Sequence, residues 1–335
     1  MSSASLKKKP FWQYFLFVLI GIFLLVFLVC LSFALNYYRR FSSSAKINHT
    51  DIKKYLLDAK INSPQNFNLL ILGLDWRKNS GGLLTDTIIA GLWRPQSNRA
   101  VFVSLPRDLW LDHLKTKINA LYFYGREQNY NDKTSLITTE LEKVLGEPLD
   151  YYLILDFEVM AEIIDLLSGV EIEVERAFDD YYFPADDGTN NLTHLRFEAG
   201  RQTMNGNRVL EYIRSRKSDD LQEGTDEART KRQQKVLLAI IDKISNRQFL
   251  ATNPEAAGKL YRYWQDNVET NLPISLLINA SLAYVRQEMR LEFLSLPEEF
   301  LTNPPIEKHG LWVWEPIDKS WGEIREWTRN KSGLQ

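Results

Sequence analysis

One cysteine in 335 residues, Cys30, leaves this chain without a disulfide framework or a thiolate metal site. Its four histidines, His49, His113, His194 and His309, are too scattered to point to a His-rich zinc site. A metal, if used, is therefore expected to be a hard cation held by carboxylates. An excess of one charge is also missing. The 41 basic and 43 acidic residues leave a net charge of −2, which gives no support to bulk nucleic-acid binding. The sequence has no Ser-His-Asp or Cys-His pattern, no P-loop, no dinucleotide fingerprint and no internal repeat. What is present, 44% hydrophobic and 25% charged residues, is ordinary globular composition for one large domain or two small ones.

The one long apolar run lies at the N-terminus. Phe11–Leu35 carries no charge over about 25 residues, enough to span a bilayer. Lys7, Lys8 and Lys9 precede it, and Arg39 and Arg40 follow, which leaves a modest positive-inside preference for a cytoplasmic N-terminus. A cleaved signal peptide is the competing reading, but the run is longer than a usual signal core. Cys30 does not suit lipoprotein processing, because bulky Val29 stands where a small residue is wanted. The expected organisation is a cytoplasmic tail over 1–10, a single-pass membrane anchor over 11–35, a stalk over 36–63 and an extracytoplasmic domain over 64–325.

Asn68–Leu74 is a continuous apolar run of the kind that forms a buried strand, and it ends at Asp75. A loop with Gly81 and Gly82 leads to a second strand, Asp86–Trp93. A turn-rich stretch, Arg94–Arg99, leads to a third, Ala100–Leu105, closed by Pro106-Arg107-Asp108. Such short loops leave no room for crossover helices, so antiparallel pairing is predicted. In that meander Asp75, Asp86 and Arg107 meet at one edge. Helical patterns cover Ser135–Leu145, Phe157–Leu167 and Ile274–Met289. Gly169–Val174 and Leu291–Leu296 read as strands, and 178–195, rich in Asp, Asn and Tyr, as a loop.

The stretch with the most chemistry is Tyr212-Ile-Arg-Ser-Arg216 followed by Arg229-Thr-Lys-Arg-Gln-Gln234. Val209–Arg216 reads as a strand with Tyr212, Arg214 and Arg216 on one face. Asp226–Ile244 reads as an amphipathic helix. Val236, Leu237, Ile240 and Ile244 share one face, with Arg229, Arg232 and Gln233 on its N-terminal continuation. Arginine forks suit phosphate, and the free N–H groups of a helix start add to the attraction. Four arginines plus Arg107 match a diphosphate, and Asp75 and Asp86 offer oxygen to a magnesium ion. The competing reading makes Arg214 and Arg216 salt-bridge partners of Asp219, Asp220 or Asp226. It makes Asp75 and Asp86 turn residues, and the tryptophans Trp312, Trp314, Trp321 and Trp327 core rather than a sugar platform.

These motifs resemble the LytR-CpsA-Psr proteins of bacterial envelopes. The matching segments are Leu69–Asp75, Thr85-Asp-Thr87, Ser104–Asp108, Lys117–Tyr122, Gly169-Val170, Phe197–Gly200, Met204-Asn-Gly206, Leu210–Arg216 and Arg229–Gln234, in the family's order. The resemblance implies a three-layer α-β-α sandwich with a central mixed sheet, a long apolar pocket for a polyprenyl chain, and a single transmembrane helix before it. It implies a magnesium-dependent phosphotransferase, with manganese as the alternative ion. Such an enzyme moves a glycopolymer from a polyprenyl diphosphate carrier to a hydroxyl of peptidoglycan or another envelope acceptor. Carried onto this sequence, it makes Asp75 and Asp86 the metal-binding and catalytic acids. Arg107, Arg214, Arg216, Arg229 and Arg232 become diphosphate ligands, with Gln233 or Gln234 alongside. Two departures stand out. Leu84 occupies a position where the family usually has arginine, so that ligand is either missing or supplied by Arg77 or Lys78, and the acidic loop between Arg216 and Arg229 is longer than usual. A non-catalytic polyprenyl-phosphate binding module is the rival reading. A DNA-binding regulator is opposed by the outward topology and the neutral charge.

Overall fold

The computed structural model describes residues 11–47, 66–74, 84–128, 132–185, 191–218, 220, 222–286 and 289–333, with the backbone alone at 11–24, 247, 282 and 285. Helix α1 spans Phe11–Ala45. Strands β1 (Phe67–Leu74), β2 (Thr85–Arg94) and β3 (Arg99–Ser104) form the expected antiparallel meander. A short ribbon of β4 (Trp110–Leu111) and β5 (Thr116–Lys117) leads to α2 (Leu121–Glu127) and α3 (Ser135–Leu145). Strand β6 (Tyr151–Asp156) lies parallel to β1 and is followed by α4 (Phe157–Leu166). Then come β7 (Val170–Val174), β8 (Phe178–Pro184), β9 (Leu192–Phe197) and β10 (Gly200–Met204), paired as β7 with β10 and β8 with β9. Helices α5 (Gly206–Arg214), α6 (Asp226–Ser245), α7 (Arg247–Thr252) and α8 (Pro254–Asn267) follow. The chain closes with β11 (Glu269–Thr270), α9 (Ile274–Val285), β12 (Arg290–Ser295), β13 (Leu301–Thr302), β14 (Glu315–Pro316) and α10 (Gly322–Ser332).

The central sheet is mixed, in the order β11-β6-β1-β2-β3-β12. Alternation along its strands feeds two cores. Leu70, Leu72, Leu74, Ile88 and Ala90 face Tyr122, Ile137, Leu141 and Ile324 on α2, α3 and α10. Ile71, Ile89, Phe102 and Leu153 face Leu237, Ile241, Ala280 and Ala283 on α6 and α9. Helices thus cover both sheet faces, in three layers. The continuous apolar text of β1 follows from this, since neither side of it is wet.

The β1–β2 ladder carries a bulge that matters for the site. Gly73 pairs with Thr87 and Leu74 with Thr85, so Asp86 is the extra residue. Such a residue leaves the ladder and its side chain is re-aimed. The opposing glycine is required by space, because a Cβ on Gly73 would lie 2.8 Å from the Thr87 Cβ.

Two expectations are corrected. Residues 209–216 are not a strand, because Val209–Arg214 lie in α5. Asn205 caps this helix by accepting from Arg208 N–H (2.9 Å), and Val209, Tyr212 and Ile213 form its buried face at helical spacing. The period-two arrangement of Tyr212, Arg214 and Arg216 coexists with this helical one, and the cap decides between them. Residues 178–195 are not simply a loop, because they contain most of the β8–β9 hairpin. Phe178, Phe183, Leu195 and Phe197 are its buried apolar residues, hidden in the sequence among Asp, Asn and Tyr.

Helix α1 continues beyond the expected anchor into the stalk region and docks on the domain. Tyr37 Oη donates to Leu250 O (2.8 Å), and the Phe41 and Tyr261 rings lie 6.3 Å apart. Gly258 allows the close approach of α1 and α8, since a Cβ there would lie 2.5 Å from Phe41 O. The rest of the expected stalk, from residue 48, lies outside the described residues. Side chains of α1 are described from Leu25 onward, and among the described residues no helix is long and apolar enough to cross a membrane.

Candidate active site

A cavity of about 260 Å³ opens between the start of β2, the β8–β9 hairpin, the end of α5 and the start of α6. Asp86, Arg214, Arg216, Arg229 and Gln233 all line it, together with Lys217 and Asp180. Its apolar wall is made by Phe157, Phe183, Leu192 and Ile213. Four cationic side chains therefore face two carboxylates.

Asp180 sits in this wall and is 1% exposed. One carboxylate oxygen accepts from Ser215 Oγ (2.7 Å), Arg216 N–H (3.1 Å) and Lys217 N–H (3.2 Å), and the other from Tyr182 N–H (3.0 Å). Burial works against its charge, but these hydrogen bonds outweigh that and hold the carboxyl below the usual aspartate range. Asp180 thus fixes the extended segment that presents Arg216 and Lys217. Neither Asp180 nor Lys217 was expected from the sequence. A buried acid has no sequence signature apart from its place in an alternating hairpin, and polar neighbours obscure that alternation here. A folded pKa below the unfolded value contributes stability that is present above the unfolded pKa, near 4, and is lost as pH falls through the folded pKa. Asp180→Asn is therefore expected to be about 1–3 kcal/mol less stable than wild type at pH 7. The gap should narrow as pH falls below about 4. Thermal denaturation across pH 3–7 checks this, and a gap that widens in acid would exclude it.

Arg214 ends α5, where a cation suits the helix dipole, and its guanidinium lies 5.2 Å from the centre of the Phe183 ring and 5.8 Å from that of Phe157. Arg216 is exposed at the mouth. Partial desolvation by the cavity wall, and then the like charge of Arg107, hold it below the usual arginine range. Of the acids weighed as salt-bridge partners, Asp220 pairs with Arg176 (3.4 Å) and Asp226 with Arg229 (3.2 Å), and Asp219 lies outside the described residues.

Arg229 is 6% exposed, and its Nε and Nη1 atoms are buried without a hydrogen-bond partner. It stands in the first turns of α6, capped by Thr225, where the dipole already disfavours a cation. Buried unpaired donors at such a place call for an anion. Gln233, one turn on, lines the same cavity.

Arg232 and Gln234, expected beside these residues, are not among the residues lining the cavity. Three residues further along a helix is about 60° short of a full turn, which carries Arg232 onto the face it shares with Val236. There it is 2% exposed, donating to Ser215 O (2.6 Å), Glu223 O (3.0 Å) and Glu223 Oε2 (2.8 Å). The Phe178 ring lies 5.1 Å from its guanidinium. Gln234 donates to Ser104 Oγ (3.0 Å) and Leu294 O (3.3 Å), at the sheet.

Arg107 donates to the Asp86 carboxylate, and its Nε lies 3.5 Å from Asp108 Oδ2. Burial opposes its charge, but Asp86 and Asp108 outweigh that and raise it above the usual arginine range. The meander thus brings together two of the three groups expected at its edge. The third, Asp75, and the substitute cations Arg77 and Lys78 lie outside the described residues. Leu84, in the place of the missing arginine, is 41% exposed. Among the described residues no three acids or histidines cluster as a metal site. Asp86 by itself offers the oxygen donor that a hard cation shared with phosphate oxygens takes.

A second cavity, about 160 Å³ and almost wholly apolar, lies between the sheet and helices α6 and α9. Phe67, Ile71, Trp93, Phe102, Leu237, Ile241, Leu277 and Tyr284 line it. Arg229, Gln233, Leu237 and Ile241 recur at four-residue spacing, so one stripe of α6 runs from the cation-lined cavity to the apolar one. Gln233 and Leu237 are about 6 Å apart along the helix axis.

A helix-covered mixed sheet, with a cation-lined cavity at one end of its strands and an apolar cavity on one face, defines an α/β protein whose cavities suit an anion joined to an apolar group. The LytR_cpsA_psr family model matches residues 31–330, and the chain belongs to that family. It is 28% identical over 279 residues to the polyisoprenyl-teichoic acid–peptidoglycan teichoic acid transferase TagU of Bacillus licheniformis, covering 81% of each chain. Among solved structures, Bacillus subtilis TagV superposes with a TM-score of 0.61 at 23% identity, over 82% of this chain and 100% of that one. TagT bound to LIIa-WTA superposes with a TM-score of 0.59 at 21% identity, over 82% and 94%. Both share the fold described above.

Proposed function

We propose that this protein is a membrane-anchored phosphotransferase. It moves a glycopolymer of the teichoic acid class from a polyprenyl diphosphate carrier to a cell-wall hydroxyl. The observation that carries this reading is the α6 stripe: buried, unpartnered guanidinium nitrogens of Arg229 at one end and an apolar cavity at the other. A ligand that is a diphosphate at its head and a hydrocarbon in its tail matches both ends.

Arg214, Arg216 and Arg229 hold the diphosphate, with Gln233 donating from the next turn. Arg107 aims the Asp86 carboxylate and screens the charge that develops on the phosphoryl oxygens. The acceptor hydroxyl oxygen bonds to the phosphorus that carries the glycopolymer, and the bond from that phosphorus to the bridging oxygen breaks. Polyprenyl phosphate leaves, and the hydroxyl proton passes to Asp86. Magnesium, or manganese in its place, would be held by Asp86 with Asp75 and would neutralise diphosphate charge. Phe11–Leu35 serves as the anchor, with its N-terminus in the cytoplasm and the catalytic domain outside.

The test uses the purified full chain, lipid-linked glycopolymer and peptidoglycan fragments. A phosphodiester-linked product and free polyprenyl phosphate are expected, and chelation of divalent cations should reduce the rate by more than about 100-fold. Tight carrier binding with no turnover in magnesium would instead make the protein a carrier-binding module. Leu84 in place of an arginine is the feature that favours that second reading.

A further inference from the structure

A groove of about 490 Å³ lies apart from the two cavities already described, between β4, its following loop, and the segment leading through β14 to α10. That segment is fixed to the chain leaving Arg107. Trp110 N–H donates to Trp314 O (2.8 Å), and Trp314 N–H donates to Asp108 O (3.0 Å). Trp110 is only three residues beyond Arg107, which places their Cα atoms within about 10 Å of each other. The groove therefore begins one short stretch of chain away from Arg107, whose side chain meets Asp86.

Trp321 forms its aromatic wall, and Trp110, 6% exposed, borders it only by an edge. Trp110 is held by contact with the His309 ring at 4.5 Å, and Trp321 is half-buried against the core. The polar groups between them carry balanced charge, Asp112 and Glu315 against Lys308 and Lys319. Glu315 is pre-oriented by Lys308 Nζ (2.5 Å) and His309 Nε2 (2.7 Å). The cation-lined cavity carries four cations against two acids; this groove carries no excess and so has no pull on a polyanion. One aromatic wall with carboxylate acceptors and ammonium donors at the edge suits a ligand that is apolar on its ring faces and hydroxylated at its rim.

We propose that this groove binds an uncharged glycan segment, and that during transfer it holds the acceptor strand beside Asp86. The second half rests on the transferase reading, and the first does not. Charge balance selects the acceptor over the glycopolymer being moved, which is polyanionic if it is of the teichoic acid class.

The test uses the full chain in lipid nanodiscs, free of sugar-based detergents, with neutral N-acetylglucosamine tetramers to hexamers as the probe. Binding is read by calorimetry, and donor cleavage is assayed in parallel. Saturable binding is expected, weakened at least about tenfold by Trp321→Ala. Because Trp321 also packs on the core, the exposed pair Asp112→Ala with Lys319→Ala provides a second variant, expected to weaken binding at least about threefold. Neither change should alter cleavage of the donor by water, assayed without oligomer, whereas transfer to the oligomers should fall with their binding. Absence of oligomer binding to the wild type, or binding untouched by both variants, would overturn the proposal. So would displacement of the oligomers by dextran sulfate at low concentration. Lost donor cleavage with intact oligomer binding would sink the transferase reading and leave the groove standing.

Discussion

Asp86→Asn is expected to slow transfer by about 10³-fold, within the range by which a positioned general base accelerates a reaction. The substitution keeps the shape of the side chain and one accepting oxygen for Arg107, and removes its charge and basicity. Asp86 projects from the bulge between Gly73 and Leu74, with its ladder partner missing. It receives Arg107 from the turn after β3 and lines the cation-rich cavity. No other described carboxylate stands in this position, because the second lining acid, Asp180, is fully occupied by Ser215 and three backbone N–H groups. Donor affinity should change far less than rate, since the loss of a carboxylate that repels the diphosphate offsets the loss of a ligand to the cation that neutralises it. Single-turnover transfer, with donor binding measured separately, distinguishes the two effects. A transfer rate within about tenfold of wild type would remove Asp86 from the proposed chemistry.

The second large effect separates two neighbouring arginines. Arg232→Ala is expected to cost about 3 kcal/mol of stability, because it breaks a buried ion pair and leaves Glu223 and the Ser215 carbonyl without their donors. For a domain of this size that is a fall of about 6–12 °C in Tm. Arg229→Ala should lower Tm far less, because two of its buried nitrogens have no partner to lose and the third pairs only with the exposed carboxylate of Asp226 (3.2 Å). It should instead weaken donor binding by roughly 10–100-fold, the worth of hydrogen bonds to a charged group. Thermal denaturation and donor titration of both variants check the contrast. Unchanged Tm with lost donor binding in Arg232→Ala would return that residue to the diphosphate.

Periodicity and loop length made much of this fold legible. Ser135–Leu145 and Asp226–Ile244 are helices within a residue of their expected limits, because each has one strong apolar stripe and nothing that competes with it. The meander followed from loops too short for a crossover, and with it the approach of Asp86 and Arg107. Around residue 212 the sequence was ambiguous. Val209, Tyr212 and Ile213 fit a helix as well as Tyr212, Arg214 and Arg216 fit a strand, and the Asn205 cap resolved it. The arginines still converge, by a different route: Arg214 ends a helix, and Arg216 lies on the extended segment that Asp180 ties down.

The sequence by itself determined which residue types could make an anion site, the long apolar N-terminal run and the family. These depend on composition, local spacing and ordered motifs, which need no knowledge of contacts. Tertiary structure alone decided which arginines face the cavity. Arg229 and Arg232 are three residues apart on one helix, and the difference of about 60° between their directions means nothing until neighbours are packed around it. The β8–β9 hairpin, α5 and the acidic loop enclose Arg232 and give both its Nη atoms partners, leaving only Nε unpaired, whereas Arg229 lines the cavity with Nε and Nη1 unpaired.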